Sequence, residues 1–121
     1  MTDDSSYSTP YAQTYDEAFR VKESTKVLEQ YPTRVPVIIE PSDSRMQKLK
    51  KRKYLVPRSL HVSALTHIVR KQLELKGSEG LFLFCDRMVL SNSEKIEDVY
   101  SKKHALDGFL YIDYRLENAF G

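Results

Sequence analysis

The sequence predicts an α+β domain on two observations: short β-branched runs alternate with helix-spaced apolar residues, and two such runs precede the strongest helix. At 121 residues and 40% hydrophobic content, the chain is long enough for one core and too short for two independent ones.

Taken in order, residues 1–14 are rich in Ser, Thr and Tyr and nearly devoid of aliphatic side chains, which predicts a flexible tail. From Tyr15 to Tyr31 there is neither Gly nor Pro, and Tyr15, Phe19, Val21, Val27, Leu28 and Tyr31 are spaced for one or two short helices. This helical extension is placed at 15–33, with Pro32 as its stop. Val35-Pro36-Val37-Ile38-Ile39 is a short β-branched run, which predicts a strand buried on both sides. Pro36 has no N–H to donate, so the strand needs an edge or an irregularity there. Tyr54-Leu55-Val56-Pro57 is a second strand closed by proline, giving a hairpin-like pair.

Val62, Leu65, Ile68, Val69 and Leu73 repeat at the spacing of an amphipathic helix, and Gly77 and Gly80 mark its exit. Leu81 to Cys85 reads as a continuous apolar strand. Ile96 to Lys103 reads as a short helix, with Ser91 and Ser93 as capping candidates. Phe109 to Tyr114 reads as a final strand after the Asp107-Gly108 turn. This is the order of a β-grasp core, a sheet packed on one main helix, over residues 34–116. Residues 117–121 are expected to form a flexible C-terminal tail. A ferredoxin-like sandwich would instead begin strand, helix, strand.

The sequence gives little support to catalysis. Cys85 lies inside an apolar run, where a buried and inert thiol is expected, and a lone cysteine forms no internal disulfide. His61, His67 and His104 share no metal-ligand spacing with Cys85 or with carboxylates. Gly77-Ser78-Glu79-Gly80 lacks the length and the lysine of a phosphate-cradling loop. No enzyme activity, metal or cofactor is therefore expected. No apolar run reaches the roughly 18 residues of a membrane span, and Asp3 and Asp4 begin no signal peptide, so a cytoplasmic start is expected.

Charge is unevenly placed. Residues 1–19 hold Asp3, Asp4, Asp16 and Glu17 and no base, whereas Arg45, Lys48, Lys50, Lys51, Arg52, Lys53 and Arg58 follow one another without an acid. Such a stretch suits acidic peptides, anionic headgroups or nucleic acid, or is simply a solvated loop. Apart from Tyr54 it has no interleaved aromatics for base stacking, and no nucleic-acid partner is expected. The terminal Gly121, lacking a Cβ, is suited to threading a narrow cleft and presenting its carboxyl for acyl transfer.

Several motifs in sequence carry a specific likeness. Tyr31-Pro32-Thr33-Arg34-Val35-Pro36-Val37-Ile38, Lys51-Arg52-Lys53-Tyr54-Leu55-Val56-Pro57, Ile68-Val69-Arg70-Lys71, Gly108-Phe109-Leu110-Tyr111 and Phe120-Gly121 follow in that order. Over about residues 20–121 the chain resembles the autophagy ubiquitin-like modifiers, the GABARAP-type family. The resemblance implies a ubiquitin-like β-grasp, with a mixed four-stranded sheet and two N-terminal helices. It also implies that Gly121 is conjugated to phosphatidylethanolamine, as a covalent modification and not a cofactor. Activating and conjugating enzymes would perform that step, and a cysteine protease would process or remove the conjugate. The protein would be cytoplasmic, and on the autophagosome membrane when lipidated.

The resemblance further implies recruitment of cargo receptors through a peptide of one aromatic, two variable residues and one aliphatic, added as a strand beside the second strand. Glu23, Val27, Pro36, Lys53, Leu55 and Phe109 fall at the aromatic pocket. Tyr54, Val56, Pro57, Leu60, Leu65, Ile68 and Val69 fall at the aliphatic one. Lys51 and Arg52 meet flanking acids, and Arg34 adds a polar contact. Leu55 and Tyr54 are expected on opposite sides of the edge strand. Three departures from the family pattern stand out: Gln72 replaces a basic rim residue, His61 replaces a capping Thr, and the N-terminus is acidic where several relatives are basic. An unconjugated ubiquitin-like adaptor and a basic RNA- or microtubule-binding module are the rival readings.

Overall fold

The computed structural model describes residues 9–117. The elements run α1 (Pro10–Thr14), α2 (Glu17–Gln30), β1 (Arg34–Pro41), β2 (Lys53–Pro57), α3 (Val62–Leu73), β3 (Gly80–Cys85), β4 (Met88–Val89), α4 (Ile96–Lys103) and β5 (Leu110–Glu117). One mixed sheet has the order β2-β1-β5-β3-β4; β1 and β5 are parallel, and the other pairs antiparallel.

The period of two along β1 divides the core between the two faces of the sheet. Val35, Val37 and Ile39 join the main cluster with Val62, Leu65, Val69 and Leu73 of α3, whereas Ile38 faces the other way and packs with Tyr11 and Phe109. Pro36 fits this central strand because the bonds Arg58 N–Thr33 O and Ile39 N–Arg52 O set the alternation of the β1–β2 ladder. The Pro36 nitrogen therefore faces away from β2. On its other side the parallel ladder with β5 begins only at Val37.

Three expectations are corrected. The sheet has five strands, not four, because Asp86 and Arg87 both adopt positive φ (51° and 67°) and turn β3 back into β4. That is the turn of a two-residue hairpin, built here without the Asn-Gly or Gly signature that would reveal it. Within residues 1–14, the described part from Thr9 onward is not a flexible tail. The Thr9 hydroxyl caps the Ala12 N–H at 3.1 Å, Pro10 sits in the first turn, and Tyr11 is buried against the Phe109 ring with centroids 5.4 Å apart. One aromatic anchor thus orders a segment that lacks aliphatic residues; residues 1–8 lie outside the described range. Finally, α3 ends at Glu74 in the left-handed region (φ 56°) rather than at Gly77 or Gly80.

Ser91 and Ser93 hydrogen-bond each other before α4, whose own cap is Lys95 and makes no side-chain bond. The α3 cap position, His61, likewise makes none. Backbone bonds from Val62 to Glu94 O and from Ser63 to Asn92 O hold that helix start instead.

Cys85 is 2% exposed, and burial, aided by the neighbouring Asp86 charge, pushes its thiol up to about 12. Alkylation by iodoacetamide at neutral pH is expected to be negligible in the native protein and rapid in denaturant. Native-state labelling at the denatured rate would show an open β3.

Candidate functional site

β2 is an edge strand, and its free backbone follows from its register. Tyr54 and Val56 direct their polar groups to β1, so Lys53, Leu55 and Pro57 direct theirs outward. Pro57 carries no N–H, and its carbonyl accepts from Leu60 N at 3.1 Å. The Leu55 carbonyl accepts from Arg34 Nη1 at 2.9 Å. The open part of the edge is therefore Lys53 and the Leu55 N–H, with one acceptor covered by a movable guanidinium.

Side chains alternate across the edge as expected. Tyr54 and Val56 belong to the α3 side, where Val56 is buried and Tyr54 half-buried. The Tyr54 hydroxyl lies 3.0 Å from the Lys51 carbonyl and 3.1 Å from Gln72 Oε1, tying the edge to α3. Gln72 thus closes this rim with a neutral hydrogen bond, where a base would leave a charge. Ile68 is 40% exposed, while Leu65 and Val69 are core residues at 3% and 2%. These two lie in the core beneath the α3 side of the edge and present almost no surface to a peptide.

Lys53 and Leu55 face α2. Lys53 Nζ reaches Glu23 Oε1 at 2.6 Å, a bridge between β2 and α2, and this bond holds the Glu23 carboxyl below its ordinary value. Val27 and Pro36 are buried beside this ion pair, and Phe109 is fully buried, sealed by Tyr11 and Ile38. Phe109 therefore lies in the core beneath these residues and is not a contact surface. Arg52 is partly committed: Nη1 lies 3.2 Å from Glu40 Oε2, and its guanidinium sits 5.9 Å from the Tyr11 ring centroid. Burial raises the Glu40 carboxyl, and the Arg52 bond opposes that shift. Lys51 is exposed. Gly121 lies outside the described residues.

Two features escaped the sequence reading. Tyr11, Tyr15 and Phe19 form a continuous ring ladder, with centroids 4.9 Å and 5.0 Å apart, beside Lys51, Arg52 and Lys53. The spacing of four residues between these aromatics was a usable signal, hidden by assigning Tyr11 to a tail. The second is a latch between α2 and the loop before β5. Buried Asp107 accepts from Arg20 at 2.7 Å, from Phe109 N at 2.9 Å and from the Tyr111 hydroxyl, while Ser24 donates to the Asp107 carbonyl at 2.5 Å. No local pattern announces it.

Among the described residues no helix is long and apolar enough to cross a membrane, and no group of three or more His, Cys, Asp or Glu is placed to hold a metal. A family profile described as "Autophagy protein Atg8 ubiquitin like" matches residues 19–121. The chain belongs to the Atg8 family. It is 39% identical over 103 residues to autophagy-related protein 8e of Arabidopsis thaliana, covering 84% of each chain. It is 38% identical over 103 residues to autophagy-related protein 8 of Schizosaccharomyces pombe, covering 84% of this chain and 85% of that one. The crystal structure of Trypanosoma brucei ATG8 superposes with a TM-score of 0.87 at 34% identity, covering 95% of this chain and all of that one. The fold is thus that of an Atg8 ubiquitin-like autophagy protein, and five strands with α3 packed beneath them are its ubiquitin-like core.

Proposed function

We propose that this Atg8-family chain acts as a non-enzymatic modifier. It is conjugated through Gly121 to phosphatidylethanolamine on autophagosomal membranes, and it recruits receptors by adding their aromatic-x-x-aliphatic segments to the free edge of β2. The observation that carries the peptide half is the β2 edge, with outward Lys53 and Leu55 backbone groups and side chains that alternate toward α2 and α3. The extended peptide takes the Leu55 carbonyl from Arg34, whose guanidinium is then free to meet a peptide carbonyl or carboxylate. The conjugation half rests on family membership and on the terminal glycine. The bond-making belongs to the activating and conjugating enzymes, with this chain as their acyl donor and a cysteine protease processing or reversing the product. The protein partitions between cytoplasm and membrane according to its lipid.

Burying an aromatic side chain of about 150–250 Å² contributes roughly 4–6 kcal/mol, and association costs about 4 kcal/mol or more. With the aliphatic anchor and the added strand, micromolar affinity is expected. The test is titration of a labelled aromatic-x-x-aliphatic peptide against Leu55→Ala. Affinity is expected to fall about tenfold, the equivalent of roughly 1.4 kcal/mol, with the thermal transition little changed because Leu55 is only half-buried. Undiminished affinity in the folded variant would remove Leu55, and with it the α2 side of the edge, from the binding site.

A further inference from the structure

The ring ladder and the lysines beside it lie next to the peptide edge, yet the peptide site takes only Glu23, Lys51, Arg52 and Lys53 from this region and leaves the ladder itself unused. Tyr11, Tyr15 and Phe19 wall a cavity of about 420 Å³ together with those three bases. Tyr15 and Phe19 remain 37% and 41% exposed, so the ladder carries aromatic surface that no described residue covers. The cavity's carboxylate, Glu23, is already engaged by Lys53. An adjoining cleft of about 1390 Å³ shares Lys51 and Arg52 and adds Lys48 and Lys50. Of the five carboxylates lining that cleft, Glu40 is bonded to Arg52, Asp107 to Arg20 and Asp113 to Arg115, while Glu17 and Asp86 form no salt bridge with a described residue. Lys48, Lys50 and Lys51 form no salt bridge with a described residue.

A complementary segment is covalently at hand. Residues 1–8, Met-Thr-Asp-Asp-Ser-Ser-Tyr-Ser, contain two carboxylates, one aromatic ring and no base. They join the described chain at Thr9, which with Pro10 lines the lysine-bearing cleft. Eight residues span at most about 26–29 Å, and Tyr7 is held within about 14 Å of Tyr11 by the intervening chain. Tyr7 also continues the four-residue spacing of Tyr11, Tyr15 and Phe19.

We infer that residues 1–8 dock on this surface in the same molecule, with the Tyr7 ring on the exposed ladder and Asp3 and Asp4 against Lys48, Lys50 and Lys51. The segment is then a built-in competitor for the bases that a receptor's acidic flank needs. A peptide with acidic flanks must displace it, whereas a peptide with neutral flanks does not contest those lysines. Only this competitive consequence rests on the groove reading proposed above.

The experiment uses the full chain and a full-length variant, D3N/D4N/Y7A, whose substitutions all precede the helices. Amide shifts of Tyr15, Phe19 and Lys48–Lys53 are compared between the two by NMR at low and high salt. The inferred contact moves these amides in the variant and is weakened by salt. It is also independent of protein concentration. Shifts confined to residues adjoining the substitutions would overturn it, as would shifts that grow with concentration, since these assign the surface to a second copy. In parallel, an aromatic-x-x-aliphatic peptide with acidic flanks is expected to bind the variant about threefold or more tightly than wild type, the factor set by how often the tail occupies the site. A neutral-flank peptide should bind both equally. Equal affinity of the acidic peptide for both proteins would overturn the competition. Failure of either peptide to bind at all would count against the groove, with the NMR comparison still deciding the tail contact.

Discussion

Arg20→Ala is expected to destabilise the fold by about 3–5 kcal/mol, the cost of leaving a buried carboxylate without its cation. Asp107 is only 2% exposed at its side chain, and Arg20, at 18%, is the cation that faces it at 2.7 Å. The Tyr111 hydroxyl and the Phe109 N–H remain after the substitution, but both are neutral donors. Arg20 also donates to the Tyr15 carbonyl at 2.9 Å, so the junction between α1 and α2 loosens as well. Since domains of this size are stable by only about 5–15 kcal/mol, the loss should be obvious in a urea titration as a lower midpoint with little change in slope. Arg20→Lys should recover part of it, because charge is kept but the fork geometry is not. A loss below about 1 kcal/mol for the alanine variant would mean that the neutral donors alone hold Asp107.

Gly121→Ala, or deletion of Gly121, is expected to abolish stable membrane association while leaving the fold and peptide docking unchanged. Gly121 follows the final strand, which ends at Glu117, so neither change touches a described element. An enzyme channel shaped for glycine has little room for a Cβ. Without conjugation the proposed anchor is gone, and a formal charge of +2 gives weak attraction to anionic lipid. Each buried lipid CH₂ contributes about 0.8 kcal/mol, and two acyl chains exceed the single-chain level at which binding stays reversible. Wild type and both variants would be expressed under starvation and compared in salt-washed membrane pellets. Variants that pellet like wild type would defeat conjugation and favour an unconjugated adaptor.

Where local pattern dominates, the sequence was an adequate guide. The three-and-four spacing from Val62 to Leu73 marks α3, and the β-branched run from Val35 to Ile39 marks the centre of the sheet. The alternation of Tyr54 and Leu55 across the edge also follows from the period of two. The failures are tertiary. Tyr11 is ordered by Phe109, just before β5, and by Ile38 of β1, both distant in the chain, so composition alone misjudged its segment. Asp86 and Arg87 turn the chain without the glycine that would mark a hairpin, and the extra strand they create is only Met88–Val89. At the site, family likeness marked Phe109, Leu65 and Val69 by position, but it could not distinguish a core residue from a contact surface. Their burial does so.

The placement of β5 has a consequence for biosynthesis. Among the described elements this strand is made last, yet it lies in the middle of the sheet, pairing Val37 with Leu110 on one side and Leu83 with Tyr114 on the other. Until it emerges, the β1–β2 pair and the β3–β4 pair have no partner to join them, and the buried face of β1 lacks one neighbour. Nascent chains therefore cannot close this core in stages from the N-terminal side, and folding of the sheet waits until β5 has been made. Stalled or C-terminally clipped chains should expose the unpaired flank of β1, which makes them targets for chaperones and proteases rather than slightly weakened versions of the finished protein.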